Sequence, residues 1–137
     1  MYEISRGISF CYGHRLFAHP GKCANLHGHN GTAVFSLTAH ELDAHGMVVD
    51  FQTVRDTVGH WIEIELDHRM ILHRDDPALP FLRDLGEPVV VVDFHPTAEN
   101  LARLLYERAR EYQLPVERVR LFETPSCSAT YQPDLPA

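Results

Sequence analysis

The sequence predicts an α+β fold with a mainly antiparallel sheet, and three patterns along its 137 residues indicate this class. Two stretches near the N-terminus alternate their side chains with the period of a β-strand. Two later stretches repeat apolar residues with the period of a helix. A short β-branched run lies between those helices, and a last strand follows them. We expect one domain over residues 1–137, long enough for a hydrophobic core.

The first two strands are predicted from Tyr2 to about Phe17 and from His27 to about Ala39. Residues 32–39 alternate between two sets of side chains, which places the sets on opposite faces of a strand. The connection at residues 18–22 is rich in turn-forming residues. An antiparallel hairpin with a wide loop would therefore bring the end of the first strand beside the start of the second.

The middle of the chain carries two predicted helices around one short strand. Asp50 is a suitable N-cap for a helix over residues 51 to about 65, and Thr97 is one for a second helix that ends near Tyr112. The β-branched run Val89–Val92 between them is short enough to be a buried strand.

The remaining segments are predicted to be shorter or less regular. We expect irregular structure at residues 66–72 and a short helical turn at 81–85. A last strand begins at Val116, breaks at Pro125 and resumes through Tyr131. The resulting order is strand, strand, helix, short strand, helix, strand.

Composition excludes several classes of partner. The formal charge of −7 disfavours a nucleic-acid surface, which would show a basic stripe. No apolar run has the length of a membrane helix, and Met1-Tyr2-Glu3 does not begin a signal peptide. Three cysteines without a secretion signal favour reduced thiols. We therefore predict a cytoplasmic protein that binds neither nucleic acid nor membranes.

His14, His27 and His29 are the candidate metal ligands. Residues two apart on a strand point to the same face, roughly 6.5–7 Å apart, so two imidazoles flanking Gly28 can converge on one cation. Imidazole suits zinc, copper, nickel or iron, and zinc is the commonest choice for a redox-silent site. Three imidazoles leave an open fourth position for a substrate oxygen. The alternative is three ordinary surface or core histidines.

Cys23 can be interpreted in two ways, and so can the adjacent residues Asp67 and His68. Cys23 would close the site and make the metal structural if it were a fourth ligand. As a free thiol near the cation it would have a lowered pKa and could act as a base or nucleophile. A carboxylate close to His68 would raise the basicity of the imidazole, which serves proton transfer. Neighbours in sequence rarely face each other, however, so an exposed step without a catalytic role is the simpler interpretation in isolation.

Glu123 is a carboxylate in a strand that should be mostly buried, where it needs a partner. A ligand with two adjacent N–H groups would satisfy it in bidentate fashion. The alternative is an ion pair with an arginine such as Arg118 or Arg120. Cys11 and Cys127 are predicted to pack as small apolar residues.

Six motifs follow one another across nearly the whole chain. They are Phe10-x-x-x-His14, Cys23-x-x-x-His27-Gly28-His29-Asn30, Gly46-Met47-Val48-Val49-Asp50-Phe51, Leu66-Asp67-His68, Pro96-Thr97-Ala98-Glu99-Asn100, and Glu123-Thr124 with Tyr131. Together these motifs resemble the 6-pyruvoyltetrahydropterin synthase / 6-carboxytetrahydropterin synthase family.

The resemblance implies zinc held by three histidines, a cysteine base, an Asp-His proton-transfer pair and residues that bind the pterin. The matching residues are His14, His27 and His29 for zinc, Cys23 for the base, Asp67 and His68 for proton transfer, and Glu123 and Thr97 for substrate binding. On the resemblance, Cys23 is catalytic rather than a fourth ligand.

The resemblance also implies the tunnelling fold. That fold has a four-stranded antiparallel sheet with two helices between the second and third strands, and the strand near Val89 would be an addition to that count or an error. Three subunits close their sheets into a barrel, and two trimers stack into a homohexamer with active sites at subunit borders. Asp67 and His68 would then reach the site of a neighbouring subunit.

The implied substrate is 7,8-dihydroneopterin triphosphate, from which triphosphate is eliminated. The three-residue gap between Cys23 and His27 resembles the branch that forms 6-carboxytetrahydropterin and acetaldehyde for queuosine synthesis. The pyruvoyl-forming synthase is the alternative enzyme. The alternative of another class is a non-catalytic, zinc-stabilised oligomer that binds a pterin, with Cys23 closing the metal site.

Three positions depart from the family pattern. Gly31 stands where an aromatic residue usually follows His-Gly-His-Asn. Cys11-Tyr12-Gly13 stand where small residues usually precede the first zinc histidine, and His73 replaces a usual asparagine. These departures remove no chemical group that the implied mechanism needs, but they point to a divergent subgroup.

Overall fold

The computed structural model describes residues 1–135, and its centre is a mixed sheet that has six strands within those residues. The strands are β1 (Tyr2–His14), β2 (His27–Ala39), β3 (Arg69–His73), β4 (Val89–Val92), β5 (Val116–Thr124) and β6 (Cys127–Tyr131). Their order in the sheet is β4-β3-β1-β2-β5-β6. Strand β1 pairs with β2, β2 with β5, and β5 with β6, and these three pairs are antiparallel. Strand β3 runs parallel to β1, and β4 runs parallel to β3.

The expected four-stranded antiparallel sheet is therefore wrong in strand number and in direction. Four antiparallel strands are present as β1, β2, β5 and β6, and β3 and β4 add a parallel pair beside β1. The irregular structure expected at residues 66–72 is also wrong, because β3 begins at Arg69. A strand of five residues, three of which pair with the end of β1, is too short to show a long alternation in the sequence. The short strand Val89–Val92 is confirmed.

The helices follow the sequence pattern closely. They are α1 (Phe51–Val54) and α2 (His60–Glu65), joined by a π-helical turn at Arg55–Gly59, then α3 (Leu79–Asp84) and α4 (Ala98–Glu111). Both predicted N-caps are confirmed, since Asp50 accepts a hydrogen bond from the Gln52 N–H and Thr97 accepts one from the Asn100 N–H. The two long helical segments lie between β2 and β5, as the resemblance implies.

The hydrophobic core lies between one face of the sheet and the helices. On β1 this face carries Ile8, Phe10 and Tyr12, all less than 10% exposed, and the next residue of the row is His14. The register pairs Tyr12 with His29 and His14 with His27. Directly opposed residues of an antiparallel pair lie on the same face of the sheet. The row of core-facing side chains on β1 therefore ends beside a group of imidazoles. Within residues 1–135 no helix has the length and apolar character needed to cross a membrane.

Candidate metal centre and active site

The β1–β2 hairpin brings together the three histidines that the sequence singled out. One ring nitrogen of each of His14, His27 and His29 lies within 4.8 Å of the others. His14 is buried and the other two are half-buried. The prediction that a hairpin places His14 beside the His27–His29 pair agrees with this geometry, and three nitrogen donors at these separations can hold one cation.

Hydrogen bonds to backbone carbonyls orient two of the rings. The Nδ1–H of His14 donates to the Pro96 carbonyl oxygen at 2.7 Å, and the Nδ1–H of His27 donates to the Asn25 carbonyl oxygen at 2.6 Å. Each bond leaves Nε2 with a free lone pair, which is the arrangement that outer partners impose on metal-binding histidines. The Nε2 atoms of His14 and His29 are 3.0 Å apart.

The surroundings keep His14 neutral. Burial lowers its pKa below the ordinary histidine value, and the neighbouring His27 and His29 lower it further, whereas the Pro96 carbonyl and Glu123 act in the opposite direction. A metal ligand must present an unprotonated nitrogen. The lowered pKa therefore favours the metal-binding form of this imidazole.

A cavity of about 280 Å³ lies beside the histidines and is lined by three more of the predicted site residues. Its lining includes His14, His27, Cys23, Thr97 and Glu123. Cys23 is an exposed thiol in the single 3-10 turn Lys22–Ala24, within the wide hairpin loop. The loop thus places the thiol in the lining of the cavity that His14 and His27 also line.

Glu123 reaches into this cavity from β5. Its Oε1 is 3.8 Å from His14 Nε2, and its Oε2 is 3.8 Å from His29 Nε2. The alternative of an arginine partner is wrong, because Arg118 pairs with Glu3 and Arg120 donates to the Ser128 hydroxyl. The carboxylate has no hydrogen-bond donor within residues 1–135 and remains available to a ligand.

Thr97 has a structural role that is sufficient to explain its presence. Its Oγ1 accepts the Asn100 N–H at 3.1 Å and so caps α4. The same residue lines the cavity. Pro96, the residue before it, supplies the carbonyl that orients His14. Two adjacent residues at the start of α4 therefore take part in the site, since Pro96 orients His14 and Thr97 lines the cavity.

Asp67 and His68 face each other but lie outside this cavity. His68 has a φ of 59°, in the left-handed region, and this turn of the backbone lets its Nδ1–H donate to Asp67 Oδ2 at 2.7 Å. Burial raises the pKa of Asp67, but hydrogen bonds from the Cys11 N–H and from His68 outweigh it and lower the pKa overall. Within one chain His68 lines an open groove together with His27 and His29, whereas Cys23, Thr97 and Glu123 line the other cavity.

Sequence reasoning missed Cys11 and misjudged Cys127. Cys127 is exposed, and Cys11 is half-buried in a polar group with Asp67 and His68 rather than packed as an apolar residue. No local signal could show this, because Cys11 and Asp67 are 56 residues apart in the chain. The outer partners Pro96 and Asn25 act through backbone carbonyls, which every residue carries, so they too gave no signal.

Comparison with known proteins agrees with the fold and the motifs. A sequence model of the family described as 6-pyruvoyl tetrahydropterin synthase matches residues 3–134. The 6-carboxy-5,6,7,8-tetrahydropterin synthase of Rickettsia felis is 34% identical over 134 residues, covering 93% of this chain and 97% of the relative. The protein of the same name from Haemophilus influenzae is 33% identical over 141 residues, covering 96% of this chain and 99% of the relative.

Solved structures show the same fold. An uncharacterized protein from Wolinella succinogenes matches with a TM-score of 0.82 at 29% identity, over 97% of this chain and 98% of that one. The 6-pyruvoyl tetrahydropterin synthase of Caenorhabditis elegans matches with a TM-score of 0.72 at 23% identity, over 97% of this chain and 96% of that one. Family match, relatives and fold agree over almost the full length, and this chain belongs to the 6-pyruvoyl tetrahydropterin synthase family.

Proposed function

We propose that this protein is a zinc-dependent lyase that converts 7,8-dihydroneopterin triphosphate to 6-carboxy-5,6,7,8-tetrahydropterin, with release of acetaldehyde and triphosphate. The observation that carries the proposal is the convergence of three imidazole nitrogens within 4.8 Å beside a cavity that Cys23 and Glu123 also line. The names of the relatives from Rickettsia felis and Haemophilus influenzae support the carboxy-forming reaction over the pyruvoyl-forming one.

The donor set fits zinc. His14 and His27 are each fixed by a carbonyl partner so that Nε2 is unprotonated, and His29 Nε2 lies 3.0 Å from His14 Nε2. Zinc prefers such nitrogen ligands, and three of them leave one position open for substrate. When bound there, zinc would supply Lewis acidity to the side-chain hydroxyls of the substrate and make nearby protons easier to remove.

Glu123 would anchor the pterin ring. A carboxylate with two free oxygens can accept hydrogen bonds from two adjacent N–H groups, such as those of an aminopyrimidinone ring. Glu123 and Thr97 both line the cavity, and the two carboxylate oxygens of Glu123 lie 3.8 Å from His14 Nε2 and from His29 Nε2. We assign recognition of the ring to Glu123 and a supporting contact to Thr97.

Two groups would move protons. The Cys23 thiolate would take a proton from a side-chain carbon of the substrate, since the thiol lines the cavity. His68, held by Asp67, would carry a second proton. Because this pair lies outside the cavity of its own chain, we assign it to the active site of a neighbouring subunit.

An oligomer would complete the site and cover the open strand edges. Strand β3 pairs only with Tyr12–His14 of β1, so on that side the preceding part of β1 has no strand partner within residues 1–135. Strands β4 and β6 are the two edge strands of the sheet. Such edges are usually covered in stable proteins. We propose a homohexamer, a dimer of trimers, in which edges of neighbouring sheets pair.

The cytoplasmic location, the role in queuosine synthesis and the single domain over residues 1–137 stay predictions.

The products decide between the enzymatic alternatives. We expect purified protein loaded with zinc and supplied with 7,8-dihydroneopterin triphosphate to release acetaldehyde and triphosphate in equal amounts. Triphosphate release without acetaldehyde would instead assign the pyruvoyl-forming reaction.

The Cys23→Ala variant decides between a catalytic and a structural metal site. We expect it to keep its metal and its thermal stability while losing turnover. If it loses metal and stability together, Cys23 is a ligand and the protein is a zinc-stabilised pterin-binding oligomer instead of a lyase. The matched control is Cys127→Ser, which changes the other exposed thiol that lines this cavity and should keep turnover if the catalytic role belongs to Cys23.

A further inference from the structure

A thiol, a carboxylate and an imidazole meet at a second place in the molecule, on Cys11, Asp67 and His68. Their ligand atoms lie within 4.8 Å of one another. Cys11 and His68 line an open groove of about 440 Å³, whose lining also includes His27 and His29, whereas Cys23 and Glu123 line the neighbouring cavity. The proposed function uses Asp67 and His68 only for proton transfer and gives Cys11 no role.

The backbone holds this cluster in place. Asp67 Oδ1 accepts the Cys11 N–H at 2.8 Å, and the His68 N–H donates to the Cys11 carbonyl oxygen at 2.7 Å. The left-handed φ of 59° at His68 then turns its ring toward Asp67 Oδ2. A left-handed residue other than glycine costs about 1 kcal/mol or more, so the fold maintains this juxtaposition against a local preference.

The chemistry of the three groups matches a thiophilic divalent cation. Sulfur, nitrogen and carboxylate oxygen are the ligand types of zinc, cobalt and cadmium, whereas magnesium and calcium select sites made of oxygen alone. A thiolate and a carboxylate together neutralise a charge of +2. We propose that Cys11, Asp67 and His68 form a second metal site, for a cation of the zinc class.

Binding at this site is balanced by the release of one proton. The Cys11 thiol loses its proton to solvent, and Asp67 binds as the carboxylate. His68 stays neutral, with its proton on one ring nitrogen and its lone pair on the other. The Cys11 Sγ is 2.9 Å from Asn30 Oδ1, and rotation of that amide would present an N–H group to the thiolate.

Occupation of the second site would inhibit the enzyme. A cation on His68 takes the lone pair that proton transfer requires, so zinc in excess of the first equivalent should lower turnover. This consequence rests on the proposed function, whereas the binding of the cation does not.

Cobalt titration of the metal-free full-length protein tests the site. Cobalt reports on both sites, and a thiolate ligand adds a charge-transfer band in the near ultraviolet. We expect two cobalt ions per chain and this band in the unmodified protein. Cys11→Ser and His68→Ala should each bind one cobalt ion and lose the band, while the control Cys127→Ser should keep both.

Several outcomes would overturn the second site. A band that persists in Cys11→Ser, or that disappears in Cys23→Ser instead, would assign the sulfur ligand to another thiol. Binding of a single cobalt ion by the unmodified protein would also contradict it. The His68 side chain is 78% exposed, so His68→Ala should fold even if Cys11→Ser does not. If two ions bind but excess zinc leaves turnover unchanged, the site stands and the proton-transfer role of His68 fails.

Discussion

At the scale of residues, the metal centre depends on which nitrogen of each imidazole carries the proton. The carbonyls of Pro96 and Asn25 fix this for His14 and His27. Motif spacing predicted the three histidines, because their side chains recur two apart on one strand and across a hairpin. It could not predict the carbonyl partners, since Pro96 is 82 residues from His14 and contributes no side-chain signal.

Removal of one imidazole should empty the metal centre. We expect His29→Ala to bind zinc at least about 100-fold more weakly than the unmodified protein, since loss of even an outer partner costs 10- to 100-fold. Competition with a chromophoric chelator measures the affinity. His40→Ala, which changes an exposed histidine at the far end of the hairpin, is the control and should bind zinc normally. Equal affinities for the two variants would contradict the assignment of His29.

The Asp67–His68 pair shows the limit of sequence reasoning at the same scale. Adjacent residues seldom face each other, and the sequence alone favoured an exposed step without a role. The left-handed backbone at His68 reverses this geometry and joins the two side chains at 2.7 Å. The residue type alone does not predict a left-handed backbone, because most histidines adopt other conformations.

At the scale of elements, β2 has to leave room for the ring of Tyr12. A Cβ on Gly31 would lie 2.8 Å from Tyr12 Cε1 and 3.3 Å from the Phe122 carbonyl oxygen. Tyr12 is only 3% exposed, and its ring packs 5.3 Å from His14 and 5.7 Å from His29, centroid to centroid. The two departures from the family pattern at Tyr12 and Gly31 are therefore one structural feature, in which the aromatic ring comes from β1 and lies over Gly31.

Adding a methyl group at Gly31 should disturb both the core and the metal centre. We expect Gly31→Ala to lower the free energy of unfolding by about 1–3 kcal/mol through overpacking and to weaken zinc binding, because the Tyr12 ring must shift against the imidazoles. Gly7→Ala is the matched control on β1, where the new Cβ would meet Thr32 Cγ2 at an ordinary 3.5 Å. Denaturant unfolding and chelator competition measure the two effects. Identical behaviour of both variants would refute the account.

A buried ion pair joins the end of β1 to the turn before α3. Arg15 Nε donates to Asp76 Oδ2 at 2.8 Å, and the Asp76 side chain is fully buried. Burial raises the pKa of Asp76, but the Arg15 guanidinium and the Ala78 N–H outweigh it and lower the pKa below its ordinary value. The pair therefore stabilises the fold only while Asp76 is ionised.

We expect Asp76→Ala to cost about 3 kcal/mol of unfolding free energy at neutral pH, because it leaves Arg15 without its partner. Since the folded-state pKa is depressed, this stability is fully present above the unfolded value of about 4 and is lost as the pH falls through the folded value. The difference from the unmodified protein should thus shrink at about pH 3, as measured by denaturant unfolding. Asp93→Ala is the control, since its pair with Arg74 is exposed and contributes little. A loss no larger than that of Asp93→Ala would contradict this prediction.

The sequence predicted the long elements and the short strand β4 well but missed β3 and the π-helical turn. Strands β1 and β2 and the helices from Phe51 and from Thr97 have clear periods or N-caps, and the structure has them at nearly the predicted bounds. The five residues of β3 show no period, because their structure depends on parallel pairing with β1 and β4. The π-helical turn at Arg55–Gly59 was likewise invisible, since it leaves the apolar stripe of the segment continuous.

At the scale of the whole molecule, the resemblance supplied what the local patterns lacked. It implied two helices between the antiparallel strand pairs, and the topology has this arrangement. It gave too few strands, since β3 and β4 extend the sheet. Within one chain the cavity of Cys23 is not lined by Asp67 or His68, which is consistent with the proposed assignment of this pair to a neighbouring subunit.

Mixing two inactive variants tests whether sites are shared. Cys23→Ala and His68→Ala should each be inactive, and co-refolding equal amounts should restore roughly a quarter of the unmodified activity, because one site in four then receives both groups. Light scattering should give six times the 15.6 kDa mass of the chain for each variant and for the mixture. Mixed hexamers that stay inactive would show that Cys23 and His68 do not serve one site.

The most direct test of the central account is X-ray absorption at the zinc edge of the Cys11→Ser variant, which lacks the thiol of the second site, with one zinc ion per chain and no substrate. Three histidine nitrogens with an open fourth position predict nitrogen or oxygen neighbours at about 2.0–2.1 Å and no sulfur near 2.3 Å. The His14→Ala variant should lose this signal. A sulfur neighbour at that distance, or an unchanged spectrum in His14→Ala, would contradict a three-histidine catalytic centre.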